Sequence, residues 1–112
     1  MKKNPKIFLK HMLECIADIE NYISTVSYKQ FYTDRKTQDA VVRRIAILGE
    51  AAKNLPKSIQ NANPNIEWRK IIDMRNAVIH EYFGVDLELV WDVAKNDLPR
   101  LEKQLIKILN NQ

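Results

Sequence analysis

The sequence predicts an all-α fold, a compact bundle of four main helices joined by short helical turns. Three observations carry this. The chain of 112 residues has only two Gly and four Pro, too few for the many turns of a β-rich fold. Its common residues, Leu, Ile, Lys, Glu and Ala, favour helix. Apolar residues recur at spacings of three and four along most of the chain, which is the helical period. The length suits one domain, residues 1–112. A chain of this size can bury roughly two-thirds of its unfolded surface.

Asn4-Pro5 opens the first helix, with Asn4 as N-cap and Pro5 in the first helical position. Leu9, Met12, Leu13, Ile16, Ile19, Ile23 and Val26 form its apolar stripe. His11 falls off the stripe and reads as a solvated surface residue. Ser27 caps a short helical turn carrying Phe31 and Tyr32, and Thr33 or Asp34 starts a long helix to about Leu55. The main stripe of this helix is Val41, Ile45, Leu48, Ala52 and Leu55. Its other face mixes Asp39, Arg43, Ala46, Ile47 and Glu50. A helix partly apolar all round is buried on two sides, so it is either central in the bundle or part of a subunit interface. Gly49 carries a helix-propensity cost of about 1 kcal/mol relative to Ala. The compensating gain is the close approach of another helix.

Pro56 closes the long helix, and residues 58–66, with Pro64 and three Asn, read as a loop with room for one turn of helix. A helix follows from about Trp68 to Tyr82 or Phe83, with Gly84 as its C-cap. Asp86 caps the last helix, whose stripe is Leu87, Trp91, Ala94, Leu98, Leu101, Leu105 and Ile108. The stripe keeps its phase through Pro99, which predicts one kinked helix rather than two.

A net charge of +4 and a pI near 9.2 permit contact with phosphates without requiring it. The single cysteine, Cys15, allows no disulfide framework, fits a reducing compartment and reads as structural. No signal peptide and no run of membrane-spanning length is expected, which makes the predicted location cytoplasmic. No P-loop, G-x-S-x-G or H-E-x-x-H pattern occurs, no metal site is indicated, and no cofactor is called for.

One residue breaks the pattern. At about 100° per residue, Trp68, Ile71, Ile72, Val78, Ile79 and Tyr82 share the core face of their helix, and Arg75 falls in its middle. Such an arginine is costly unless it is paired or lines a cleft. Either it makes an ion pair with Asp18, Asp39 or Glu50, or its guanidinium lines a pocket for an anion, most simply a phosphate. Asn76 and His80 lie adjacent on the flank of the same face. Arg75 and His80 stand about 140° apart on an ideal helix, so a shared site needs a distorted helix end or a two-fold partner.

These residue types suit metal-free RNA cleavage, in which a 2′-hydroxyl attacks phosphorus and the 5′-oxygen leaves. An imidazole titrates near neutrality, so His80 can serve as base or acid. Arg75 can hold the phosphate and stabilise the developing charge. Asn76 can orient His80 or donate to a phosphate oxygen.

The stretch Arg75-Asn76-Ala77-Val78-Ile79-His80-Glu81-Tyr82 resembles the R-x4-H-x-Y motif of the HepT-like branch of the HEPN superfamily. Thr37-Gln38-Asp39-Ala40-Val41, Leu48-Gly49-Glu50-Ala51, Trp68-Arg69-Lys70-Ile71, Tyr82-Phe83-Gly84-Val85-Asp86 and Asp97-Leu98-Pro99 resemble that family in the same order. The resemblance implies a homodimeric HEPN-like helical bundle. It also implies a metal-independent endoribonuclease acting on RNA, the toxin of a type VII-like toxin–antitoxin pair. By the same resemblance, Arg75 and His80 are catalytic and Asn76 belongs to their site. Tyr82 is the tyrosine to which a cognate nucleotidyltransferase antitoxin transfers AMP. Two other readings stand beside this one. The chain could be a non-catalytic partner subunit of a nucleotidyltransferase that binds nucleotide or RNA, or a plain helical dimerisation module with Arg75 in a buried ion pair.

Overall fold

A computed structural model of the chain describes residues 4–80 and 86–111, and of residues 78–80 only the backbone. Those residues form an all-α bundle without strands. Its helices are α1 (Pro5–Ile23), α2 (Tyr28–Thr33), α3 (Arg35–Lys53), α4 (Lys57–Ala62), α5 (Trp68–His80), α6 (Leu87–Asp92) and α7 (Leu98–Asn110), with a π-helical turn, Val93–Asp97, between α6 and α7. Among the described residues no helix is long and apolar enough to cross a membrane.

Local chemistry sets the helix starts. Asn4 Oδ1 accepts from the Lys6 amide at 3.0 Å, with Pro5 beside it in the first turn. Ser27 and Gln30 form a reciprocal capping box at α2. Asp34, not Thr33, caps α3. Its carboxylate takes the Thr37 amide at 3.2 Å and the Thr37 hydroxyl at 2.6 Å. These bonds hold the Asp34 carboxyl below its ordinary value. Asp86 Oδ1 accepts from Glu88 and Leu89 at α6, as the sequence predicts.

The core is one continuous cluster. Leu9, Met12, Ile16 and Ile19 of α1 meet Val41, Ile45 and Leu48 of α3 and Leu101 and Leu105 of α7. Leu13 and Val26, expected in the α1 stripe, pack against the edge of that cluster and stay partly exposed. Cys15 is buried within it. Burial pushes its thiol up, partly offset by the nearby Arg44 guanidinium, so the sulfur packs as a neutral group. His11 is exposed, as expected of a residue off the stripe.

The long third helix is the central one. It packs on α1 along one side and on α5 along the other, which explains why neither of its faces is purely polar. Two connections differ from expectation. The segment after Pro56 is a defined helix, α4, with Gln60 buried beneath it. Gln60 Nε2 donates to the carbonyls of Ala52 and Leu55, each at 3.2 Å. It thus ties α4 to the chain leaving α3, where the Ala52 carbonyl also accepts from the Leu55 amide at 3.2 Å. The second difference is at Pro99. The expected kink is a π-helical turn just before it, in which the Leu98 amide reaches back to the Val93 carbonyl. Proline lacks an N–H and its ring collides with the carbonyl four residues earlier in a regular helix. One wide turn removes that conflict and keeps Ala94, Leu98, Leu101, Leu105 and Ile108 buried together.

Candidate functional site

The site residues begin with a glycine. Gly49 is buried where α3 crosses α5. A Cβ built there would collide with Arg75 Cβ, lie 2.8 Å from Arg75 Cγ and lie 3.2 Å from the Ile71 carbonyl oxygen. The aliphatic stem of Arg75 therefore lies flat on the backbone of α3. The close approach inferred from Gly49 is real, and the residue approaching is Arg75 itself.

The guanidinium then has a fixed direction. Arg75 Nη2 stands 2.7 Å from Glu50 Oε2, and Nη1 donates to Asn76 Oδ1 at 2.8 Å. Of the three carboxylates considered for Arg75, the structure selects Glu50. Asp18 pairs instead with Arg44. The pair is not sealed in the core. The Arg75 side chain is 20% exposed and that of Glu50 is 48% exposed, so the head group sits at the rim of the α3–α5 contact. The helical wheel put Arg75 at the centre of an apolar face. The structure keeps its stem on that face, against Gly49, with the side chain only partly exposed.

Arg75 Nε is buried and has no hydrogen-bond partner among the described residues. A buried donor without an acceptor costs about 1–3 kcal/mol.

Of the predicted site residues, Arg75 and Asn76 come together directly. His80 closes α5, but its side chain lies outside the described residues. Tyr82 and the expected Gly84 cap lie outside them as well. Glu50 joins the constellation without having been singled out as a site residue. The sequence names it as one of three candidate ion-pair partners of Arg75, and the α3–α5 contact selects it.

A separate cleft of about 120 Å³ opens between α3, α5 and α7, floored by Ile45, Leu48, Ile71 and Met74. Lys70 and Asp97 pair at 3.1 Å among its lining residues. The hydrogen bond and charge of Asp97 hold Lys70 above its ordinary value. This cleft includes neither Arg75 nor Asn76.

The family model described as ribonuclease HepT-like matches residues 12–108. The chain belongs to the ribonuclease HepT-like family. Among relatives of this HepT-like chain, a Thermococcus cleftensis protein named as a probable ribonuclease HepT is 39% identical over 96% of the chain and 98% of its own length. A Caldanaerobacter subterraneus protein named as a candidate RNase is 39% identical over 98% of both. A Methanocaldococcus jannaschii protein named as a γ-glutamylcyclotransferase and candidate RNase is 45% identical over 97% of the chain. The HepT-like chain spans 49% of that protein's length. No solved structure matches.

Proposed function

We propose that the chain is a metal-independent endoribonuclease, working as a homodimer, with Arg75, Asn76 and His80 in its active site. The observation that carries the reading is the posture of Arg75. Its stem is pressed on Gly49 and its guanidinium is presented at a rim by Glu50 and Asn76. A guanidinium fixed by a carboxylate loses little freedom when it binds a phosphate, and its planar fork suits phosphate oxygens. Membership of a family described by ribonuclease activity supports the same reading.

In the proposed reaction, one His80 removes the proton of a 2′-hydroxyl, which attacks the adjacent phosphorus. The 5′-oxygen leaves with a proton from a second imidazole, and a 2′,3′-cyclic phosphate remains. A two-fold dimer supplies both imidazoles to one cleft. Arg75 neutralises the charge that grows on the non-bridging oxygens. Glu50 acts as a positioning residue for Arg75.

The regulatory part of the proposal follows the family resemblance. The chain is a toxin, and a cognate nucleotidyltransferase switches it off by modifying Tyr82. The Tyr82 phenol oxygen attacks the α-phosphorus of ATP, pyrophosphate leaves, and a negatively charged AMP group remains near the phosphate site. The reaction needs a soluble partner in the same compartment, and the cytoplasm is the proposed one.

The deciding experiment is RNA cleavage in the presence of EDTA by unmodified wild-type protein and by His80→Ala. Cleavage by the wild type alone is expected. Intact RNA with the wild type under varied salt and pH would reject the enzyme reading. Intact mass after co-expression with the cognate transferase should rise by whole AMP units and stay unchanged in Tyr82→Phe.

The Glu50 ion pair also favours a second reading, in which Arg75 is structural and the chain is a non-catalytic partner subunit or dimerisation module. Arg75→Ala would then lower stability and leave RNA cleavage or binding untouched.

A further inference from the structure

Away from Arg75, the described surface carries an aromatic patch that the proposed reaction does not use. It is built from α2 and α6. Phe31 is fully buried and anchors it, 5.1 Å from the Trp91 ring. Tyr28 lies edge-on to Trp91 at 5.8 Å, and Tyr32 follows at 6.1 Å from Tyr28. The ladder ends in solvent, because Tyr32 is 61% exposed. Lys95 Nζ stands 5.0 Å from the centre of the Trp91 ring.

The patch is held rigidly. Gln38 Nε2 donates to the carbonyls of both Phe31 and Tyr32 at 2.9 Å, which pins the end of α2 to α3. The capping box pins its start. A six-residue helix does not persist alone, so these bonds maintain a surface whose outermost feature is a tyrosine ring.

Its place in the chain links it to the motif. Asp86, which starts α6, follows His80 by six positions and Tyr82 by four. Covalent geometry keeps it within about 22 Å of the end of α5. The Asp86 and Glu88 charges are also felt by the Tyr28 phenol, which burial first, and these charges second, hold above its ordinary value.

We propose that Tyr32, backed by Tyr28 and Trp91, is a stacking platform for an unpaired base of the RNA strand entering or leaving the cleavage site. This rests on the ribonuclease reading. The chemistry favours a base over the phosphate backbone. Glu88 stands near Tyr28, and Asp34 and Asp86 close the neighbouring helices, so the patch is not uniformly basic. An exposed π-face binds any base by its face, and Lys29 on the exposed side of α2 can meet the flanking phosphate.

The test uses a short single-stranded oligoribonucleotide with every 2′-hydroxyl methylated, which cannot undergo the attack. Binding is read by fluorescence anisotropy for wild type, Tyr32→Ala, Tyr32→Leu and Tyr32→Phe. Tyr32→Ala should weaken binding by about 5- to 100-fold. Tyr32→Leu should weaken it similarly, since it keeps apolar area and lacks a π-face, and Tyr32→Phe should bind as the wild type does. Unchanged affinity in Tyr32→Ala, with the wild type binding and cleaving RNA, overturns the platform and leaves the ribonuclease reading standing. A wild type that neither binds nor cleaves RNA overturns both. Sedimentation of the same variants separates the remaining case. A loss of assembly mass in Tyr32→Ala would make the patch a contact between protein chains and reject the base-stacking role.

Discussion

At the scale of single residues, the chain turns on the pair Gly49 and Arg75. Alanine is the better helix former by about 1 kcal/mol, so propensity alone predicts that Gly49→Ala stabilises. The structure predicts the reverse. The added methyl would meet Arg75 Cγ at 2.8 Å and the Ile71 carbonyl at 3.2 Å, and backbone does not yield easily. A destabilisation of about 1–3 kcal/mol is expected in urea unfolding. A gain in stability would mean that α3 and α5 do not approach as described. Glu50→Gln tests the other half of the pair. It keeps the shape and removes the charge that faces Arg75 across 2.7 Å. The half-exposed pair gives a stability change of about 1 kcal/mol or less. On the proposed mechanism, the effect on RNA cleavage should be larger, about tenfold or more, because an arginine with no fixed direction no longer meets the phosphate in one pose. Equal small effects on both would make Glu50 an ordinary surface residue.

At the scale of elements, short polar contacts decide how the helices are joined. Gln60 is the clearest case, a buried amide reaching two carbonyls at the end of α3 from the next helix. Gln60→Ala leaves both without that donor, and a loss of about 1–2 kcal/mol follows. Thermal unfolding followed by circular dichroism should show the midpoint fall by about 4 °C or more. An unchanged midpoint would show that solvent replaces the amide at no cost. Trp68 does a related job at the next junction, where its Nε1 donates to the Asn63 carbonyl at 3.1 Å and fixes the start of α5. Through Trp68, the angle at which α5 presents Arg75 depends on a contact seven residues before it. The π-helical turn ahead of Pro99 is a third such device, since it lets α6 and α7 share one buried stripe across a residue that a regular helix excludes.

At the scale of the whole molecule, the open question is how Arg75 and His80 cooperate. Their spacing of five residues turns them about 140° apart on an ideal helix, which is why a two-fold dimer is proposed. Mixing chains tests it directly. Isolated mixed dimers of one wild-type and one His80→Ala chain should be nearly as inactive as His80→Ala alone, since their cleft keeps only one of the two imidazoles the reaction uses. About half the wild-type activity, in mixed dimers shown to form by native mass spectrometry, would place each site within a single chain. Salt offers a complementary measurement. If each Arg75 meets one phosphate, RNA binding by Arg75→Ala should show a shallower dependence on log salt than the wild type, by about 0.7 per phosphate lost.

Much of this architecture could be read from the chain directly, because it depends on neighbours in sequence. Asn4, Ser27, Asp34 and Asp86 cap helices through atoms two or three residues away, and the apolar stripes follow from the helical period. The R-x4-H-x-Y spacing and the oddness of Arg75 were visible for the same reason. Other features depend on residues brought together from distant parts of the chain, and sequence period carries no trace of them. Arg75 pairs with Glu50 rather than Asp18 or Asp39 because α3 and α5 cross at Gly49. Gln60 is buried because α4 folds back over the end of α3. The aromatic ladder of Tyr28, Tyr32 and Trp91 joins residues some sixty positions apart. By itself the sequence determined that there is a helix with an arginine out of place. Only the packing of α3 on α5 decided which carboxylate holds it, and that its charge faces the rim rather than the core.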